Sequence, residues 1–194
     1  IINFLTFSFF YIFLIKKLKS YKNKKTYFLY GWSFGFGYFG SNLYWISISL
    51  TFDENLKFLI PFTIILVPAF LALFYGLTAY LFIFLKPKKN ISSFFLFSLI
   101  FGIVEFLRGS ILTGFPWNLI AYSFTKYIEI LSITSIIGTY SFNLFCISLF
   151  LSPSILILRE KRKDIIICIG FLITTLSFFV YGSQNIDKFY KSKI

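Results

Sequence analysis

Six apolar runs, separated by short and mostly charged connectors, constrain this chain more than any other feature. They cover approximately residues 1–15, 28–50, 58–85, 91–107, 130–151 and 165–182. An α-helix rises about 1.5 Å per residue, so about 20 apolar residues cross the hydrocarbon layer of a membrane. In lipid the backbone must satisfy its own hydrogen bonds, which leaves helices or a closed barrel as the spanning structures. Runs of this length predict an all-α, polytopic transmembrane helical bundle of about six spans. The full sequence is 58% hydrophobic and 13% charged, more apolar surface than a soluble domain covers. Residues 1–182 read as one transmembrane domain and 183–194 as a tail.

The connectors alternate in charge. The first, third and fifth hold thirteen Lys and Arg residues, and the second and fourth hold three. Cytoplasmic loops carry the excess of Lys and Arg, so the odd connectors are expected inside and the tail outside. The net charge of +12 is thereby explained by loops and anionic lipid headgroups, and no nucleic-acid partner is implied. The chain has no Met and starts Ile-Ile-Asn, and its first run is short, so truncation at the N-terminus is expected.

Several local patterns have plain physical readings. Gly35-Phe-Gly37-Tyr-Phe-Gly40 matches a dinucleotide-binding spacing, but that fingerprint follows a strand and this one lies inside an apolar run. Gly31, Gly35, Gly37 and Gly40 instead offer a small-residue face for close helix packing. Pro61 and Pro68 lie in the third run and predict a kink. Cys146 and Cys168 lie in apolar runs and read as small hydrophobes. The sequence has no His, so neither a metal site nor a cofactor is implied, and a His-activated nucleophile is excluded.

The most informative stretch runs from Glu105 to Asn118, EFLRGSILTGFPWN. A carboxylate and a guanidinium three residues apart share one helix face at the end of an apolar run. One reading is an ion pair that stabilises the helix end. The other is a polar anchor near the outer membrane surface that binds a lipid headgroup or holds a loop. The Arg fork donates two parallel hydrogen bonds, which makes Arg108 a candidate for phosphate contact. Thr113–Tyr122 is too apolar for an ordinary loop and is expected to dip into the interface or re-enter the bundle, with Trp117 at headgroup depth. Asn42, Tyr44, Trp45 and Ser49, near the outer end of the second run, are candidates to line a cleft with it.

These residues carry a resemblance. Gly31–Ser49 (GWSFGFGYFGSNLYWISIS), Glu105-Phe-Leu-Arg108-Gly109 followed by Thr113-Gly114-Phe115-Pro116-Trp117, and Gly138-Thr-Tyr140-Ser141-Phe142-Asn143 occur in the order of bacterial apolipoprotein N-acyltransferases, and the chain resembles that family over nearly all of its length. The resemblance implies an enzyme of lipoprotein biosynthesis in the cytoplasmic (inner) membrane. It moves an acyl chain from a phospholipid donor to the α-amino group of a diacylated apolipoprotein's N-terminal cysteine. It further implies a thioester on a catalytic Cys, with a Glu and a Lys, in a nitrilase-like extracytoplasmic domain that follows the spans. That domain has no counterpart here, so no catalytic residue is expected in this chain, which is expected to be inactive alone. Glu105, Arg108, Gly114, Phe115, Pro116, Trp117 and Trp45 are the candidates for substrate or lipid binding. The alternatives are a small transporter or channel, which needs ionisable residues deep in several spans, and a non-catalytic remnant.

Overall fold

The fold is described from a computed structural model. It describes residues 2–18, 23–85, 88, 91–111, 114, 116–158 and 164–191, with backbone alone for 2, 3 and 187–191. The long helices are α1 (Ile2–Lys17), α2 (Lys24–Leu43), α3 (Ile60–Phe84), α4 (Ile91–Ser110), α7 (Thr139–Leu151) and α9 (Asp164–Lys191). Between them lie the short helices α5 (Ile128–Leu131), α6 (Thr134–Ile137) and α8 (Pro153–Leu158). Three 3-10 helices cover Tyr44–Phe52, Glu54–Leu59 and Ile120–Phe124.

Local chemistry accounts for the boundaries. Asn23 caps α2 by accepting the Lys25 N–H at 3.0 Å, satisfying one of the first-turn donors. Asp53 does the same for Asn55 at 2.9 Å, between the two 3-10 helices. Pro61 stands in the first turn of α3, where its missing N–H leaves no intrahelical bond unmade, while Pro68 lies inside that helix. Lys16 and Lys17 fall in the last turn of α1, where cations favour the helix dipole.

Among the described residues, four helical stretches are long and apolar enough to cross a membrane: Glu54–Phe84, Ile91–Ser110, Thr139–Leu158 and Asp164–Ile186. The protein is therefore a multi-pass membrane protein built of helices. Six such spans were expected. Helix α1 has 16 residues and falls short in length, and α2 is diluted by its glycines and polar residues. The expected run at 130–151 is divided. Gly138 has φ +79° and ends α6, so the spanning stretch begins at Thr139 and continues through α8. Helix α9 stays helical past 182, to Lys191.

The chain forms two compact units. The first comprises Ile1–Ile15, Lys88–Gly102 and Leu119–Ile194. Its interior is aromatic: Phe7 meets Phe101 at 5.7 Å between ring centroids, Tyr11 meets Phe97 at 5.3 Å, and Phe145 meets Phe178 at 5.0 Å. Ser8 donates to the carbonyl of Phe150 at 2.8 Å, so a buried hydroxyl fastens α1 to α7. Cys146 is buried within α7, and Cys168, in α9, donates to the carbonyl of Ser152 at 3.3 Å. Gly182 of α9 lies so close to the backbone of Glu129 that any added Cβ collides with the Glu129 carbonyl.

The second unit comprises Lys16–Pro87 and Ile103–Asn118. Here α2 and α3 pack together closely. A methyl group at Gly31 would meet the Tyr75 carbonyl and the Ala79 Cβ, and one at Gly35 would meet Cβ and Cγ of Tyr75. At Gly37 and Gly40 the same position is open. The Trp32 indole N–H donates to the Ala69 carbonyl at 2.9 Å across this seam.

Candidate functional site

The site is built on the C-terminal turns of α4, in the second unit. Glu105 and Arg108 are one helical turn apart, and both are buried, each about 1% exposed. Arg108 Nε donates to Glu105 Oε1 at 2.9 Å and Nη2 donates to Oε2 at 2.8 Å. This two-pronged pairing is the geometry that best offsets the cost of removing both charges from water. The third guanidinium nitrogen, Nη1, donates to the backbone carbonyl of Trp117 at 3.0 Å. The guanidinium also lies 5.3 Å from the ring centre of Phe39, on α2.

The chain returns to this pair through a tight turn. Gly114 has φ +74°, and its N–H donates to the Ile111 carbonyl at 2.9 Å. A side chain there would also strike the Gly109 carbonyl, so both conformation and space require glycine. Phe115, one of the candidate residues, lies outside the described residues, as does Thr113. Pro116 is exposed. Asn118 has φ +62°, in the left-handed region that Asn tolerates better than most residues. The Tyr38 hydroxyl, from α2, donates to the Asn118 carbonyl at 3.4 Å. Two successive carbonyls, of Trp117 and Asn118, are thus held by side chains from two helices.

The turn puts the Trp117 ring outward. Trp117 is 56% exposed and lies against Trp45, which is 44% exposed, with ring centroids 5.7 Å apart and planes tilted by 48°. Trp45 thus meets the Glu105 segment. Asn42 and Ser49 do not join it through their hydrogen bonds. Asn42 donates to Tyr38 O at 2.7 Å and Ser49 to Ile46 O at 2.7 Å, both within their own helices. Among the candidates, then, the buried pair fixes a turn and two indoles form its exposed face.

In the first unit, the segment after the turn plunges inward. Leu119, Ile120 and Ala121 are buried. Ala121 N–H donates to Asn143 Oδ1 at 2.9 Å, which ties the 3-10 helix Ile120–Phe124 to α7. Asn143 Nδ2 is buried with no hydrogen-bond partner among the described residues. Thr113–Tyr122 was expected to dip or re-enter, and its last residues before Tyr122 are core residues.

Sequence reasoning missed Tyr38, Phe39 and Tyr75 as parts of this assembly. Their partners are distant along the chain, and no spacing pattern announces them. Asn143 carried a signal, because a lone Asn in an apolar run must find a partner.

The arrangement can bind and position. The carboxylate of Glu105 is engaged by Arg108, so the pair presents neither a nucleophile nor a proton-transfer group to the surface. The indoles combine a broad apolar face with an N–H donor, a combination suited to the boundary between lipid and water.

A family model described as "Apolipoprotein N-acyltransferase N-terminal domain" matches residues 2–151. Relatives bearing the name apolipoprotein N-acyltransferase include one from Rhodopseudomonas palustris, 38% identical over 130 residues, which are 66% of this chain and 24% of the relative. One from Brucella melitensis is 35% identical over 127 residues, 65% of this chain and 24% of that protein. One from Rhizobium rhizogenes is 34% identical over 133 residues, 68% of this chain and 25% of that protein. The matches span about a quarter of the length of these relatives. The chain belongs to the apolipoprotein N-acyltransferase N-terminal domain family.

Proposed function

We propose that this member of the apolipoprotein N-acyltransferase N-terminal domain family is the membrane domain of a lipoprotein-maturing acyltransferase, and that its Trp45–Trp117 face meets the lipid substrates. The reaction is transfer of an acyl chain from a membrane phospholipid to the α-amino group of an N-terminal diacylglyceryl-cysteine. The chemistry would be performed by a nitrilase-like domain, reached through the tail 183–194 or supplied as a separate chain. On this reading residues 1–182 hold that domain at the inner membrane and admit the donor and the diacylated apolipoprotein. The tail and the Trp45–Trp117 face are extracytoplasmic, as the Lys and Arg distribution supports.

The observation that carries the reading is the pairing of a fixed backbone with an exposed indole. Trp117 is half exposed, while its own carbonyl is bonded to a fully buried Arg108. A large exposed aromatic on a turn held this firmly marks a contact surface. Glu105 and Arg108 serve by holding the turn, and Gly114 and Pro116 by shaping it.

The test is N-acylation of a diacylated lipopeptide by the complete enzyme in phospholipid vesicles. Trp117→Ala and Trp45→Ala should each raise KM for the lipid substrates, with wild-type folding. Both variants behaving as wild type would remove the lipid-contact role. This chain alone should transfer no acyl group, and measurable transfer by the purified chain would overturn the assignment of chemistry to another domain.

A further inference from the structure

We propose that Tyr38 and Phe39 of α2 are positioning residues for the Trp117 indole, acting through the backbone carbonyls of Trp117 and Asn118. The proposal rests on the lipid-contact reading above for its functional meaning, but its geometry is independent of it.

The two residues are neighbours in sequence and reach the same turn by different routes. Phe39 is fully buried and lies under the guanidinium of Arg108, whose Nη1 holds the Trp117 carbonyl. Tyr38 reaches past it to the Asn118 carbonyl. Both rings rest on Tyr75 of α3. Tyr38 stacks on it at 5.5 Å with planes 24° apart, and Phe39 meets it edge-on at 5.0 Å. Tyr75 is 1% exposed and can occupy that place because Gly35 presents no side chain to it.

A line of contacts therefore runs from the α2–α3 seam to the exposed indole. Gly35 admits Tyr75, Tyr75 seats Tyr38 and Phe39, and these two address consecutive residues of the turn. Asn118 is in the left-handed region, a conformation that L-residues leave unless the surroundings determine it. The Tyr38 hydroxyl is one of those determinants. The bond is long, so its part is to choose among turn geometries, while Arg108 supplies most of the hold. The small-residue face of α2 thereby acquires a second role, in setting the angle of Trp117.

The Trp45–Trp117 pair supplies its own readout. Two indoles at this separation and tilt couple their transitions and give a circular-dichroism couplet, isolated as the difference between the protein and its Trp117→Phe variant. Measured in the complete protein in nanodiscs, Tyr38→Phe should weaken the couplet by shifting the held turn about two- to fivefold toward other geometries. Phe39→Leu should weaken it further. Tyr80→Phe, on α3, is the control that leaves it unchanged. In acyl transfer, Tyr38→Phe should raise KM for lipid with kcat preserved, since it removes uniform binding only. An unchanged couplet in both Tyr38→Phe and Phe39→Leu overturns the positioning role, whatever happens to acyl transfer. A weakened couplet with unaltered acyl transfer keeps the positioning role and overturns the lipid-contact reading instead.

Discussion

Arg108 donates from Nη1 to the carbonyl of Trp117, nine residues further along, at 3.0 Å, while its other two nitrogens close on Glu105. A single buried side chain thus fixes both a helix end and the turn that follows. The indole attached to that carbonyl stays exposed. Backbone constraint and surface presentation meet in one residue.

Removing one partner of the buried pair should be costly. Arg108→Ala leaves the Glu105 carboxylate uncompensated and should destabilise the protein by about 3–5 kcal/mol, as should Glu105→Ala for the guanidinium. The double change Glu105→Leu with Arg108→Met should recover most of that loss, measured by thermal unfolding in detergent. Acyl transfer by the complete enzyme should not recover with it, because the Trp117 carbonyl loses its donor. Arg108→Ala should also impair transfer more than Lys126→Ala, whose residue is exposed. Equal and small effects would reduce Arg108 to a helix-end charge.

Asn118 offers a backbone test. Asn118→Gly should be within about 0.5 kcal/mol of wild type, because glycine adopts positive φ freely. Asn118→Val should cost about 1–2 kcal/mol, since a β-branched residue resists the left-handed region. Equal stability of the two variants would show that the turn opens without penalty.

The four glycines of α2 should separate into two classes. Gly31→Ala and Gly35→Ala place a methyl group against α3 and should cost about 1–3 kcal/mol through overpacking. Gly37→Ala and Gly40→Ala meet open space and should be neutral or slightly stabilising through helix propensity. Thermal unfolding of the four variants in one detergent decides the point.

Asn143 should govern the segment that enters the core. Asn143→Leu leaves the Ala121 N–H buried and unbonded, at a cost of about 1–3 kcal/mol. Faster hydrogen exchange confined to Ile120–Phe124 is the expected signature. Exchange unchanged there would mean that the backbone finds another acceptor.

Much of this architecture was legible in the chain, residue by residue. The apolar runs announced helices, and the i, i+3 spacing announced the Glu105–Arg108 pair. Hydropathy did not reveal that Gly138 divides an apolar run, because a positive-φ glycine and a packing glycine look alike in composition. Helix geometry explains the split among the α2 glycines. Gly31 and Gly35 are four residues apart and share a face, while Gly37 is turned from Gly35 by about 200° and Gly40 by about 140°. The run of glycines showed a packing face without showing which members form it. The reach of Tyr38 to Asn118 was not legible at all, because 80 residues of chain intervene and only tertiary packing brings them together.

Helix α9 carries a mechanical consequence in its length. Its 28 residues extend about 42 Å, roughly 12 Å more than the hydrocarbon layer is thick. At Gly182 it bears on the Glu129 backbone without an intervening side chain. A single methyl group added at that point would drive the two backbones apart, so the course of α9 is set by the space one glycine leaves open.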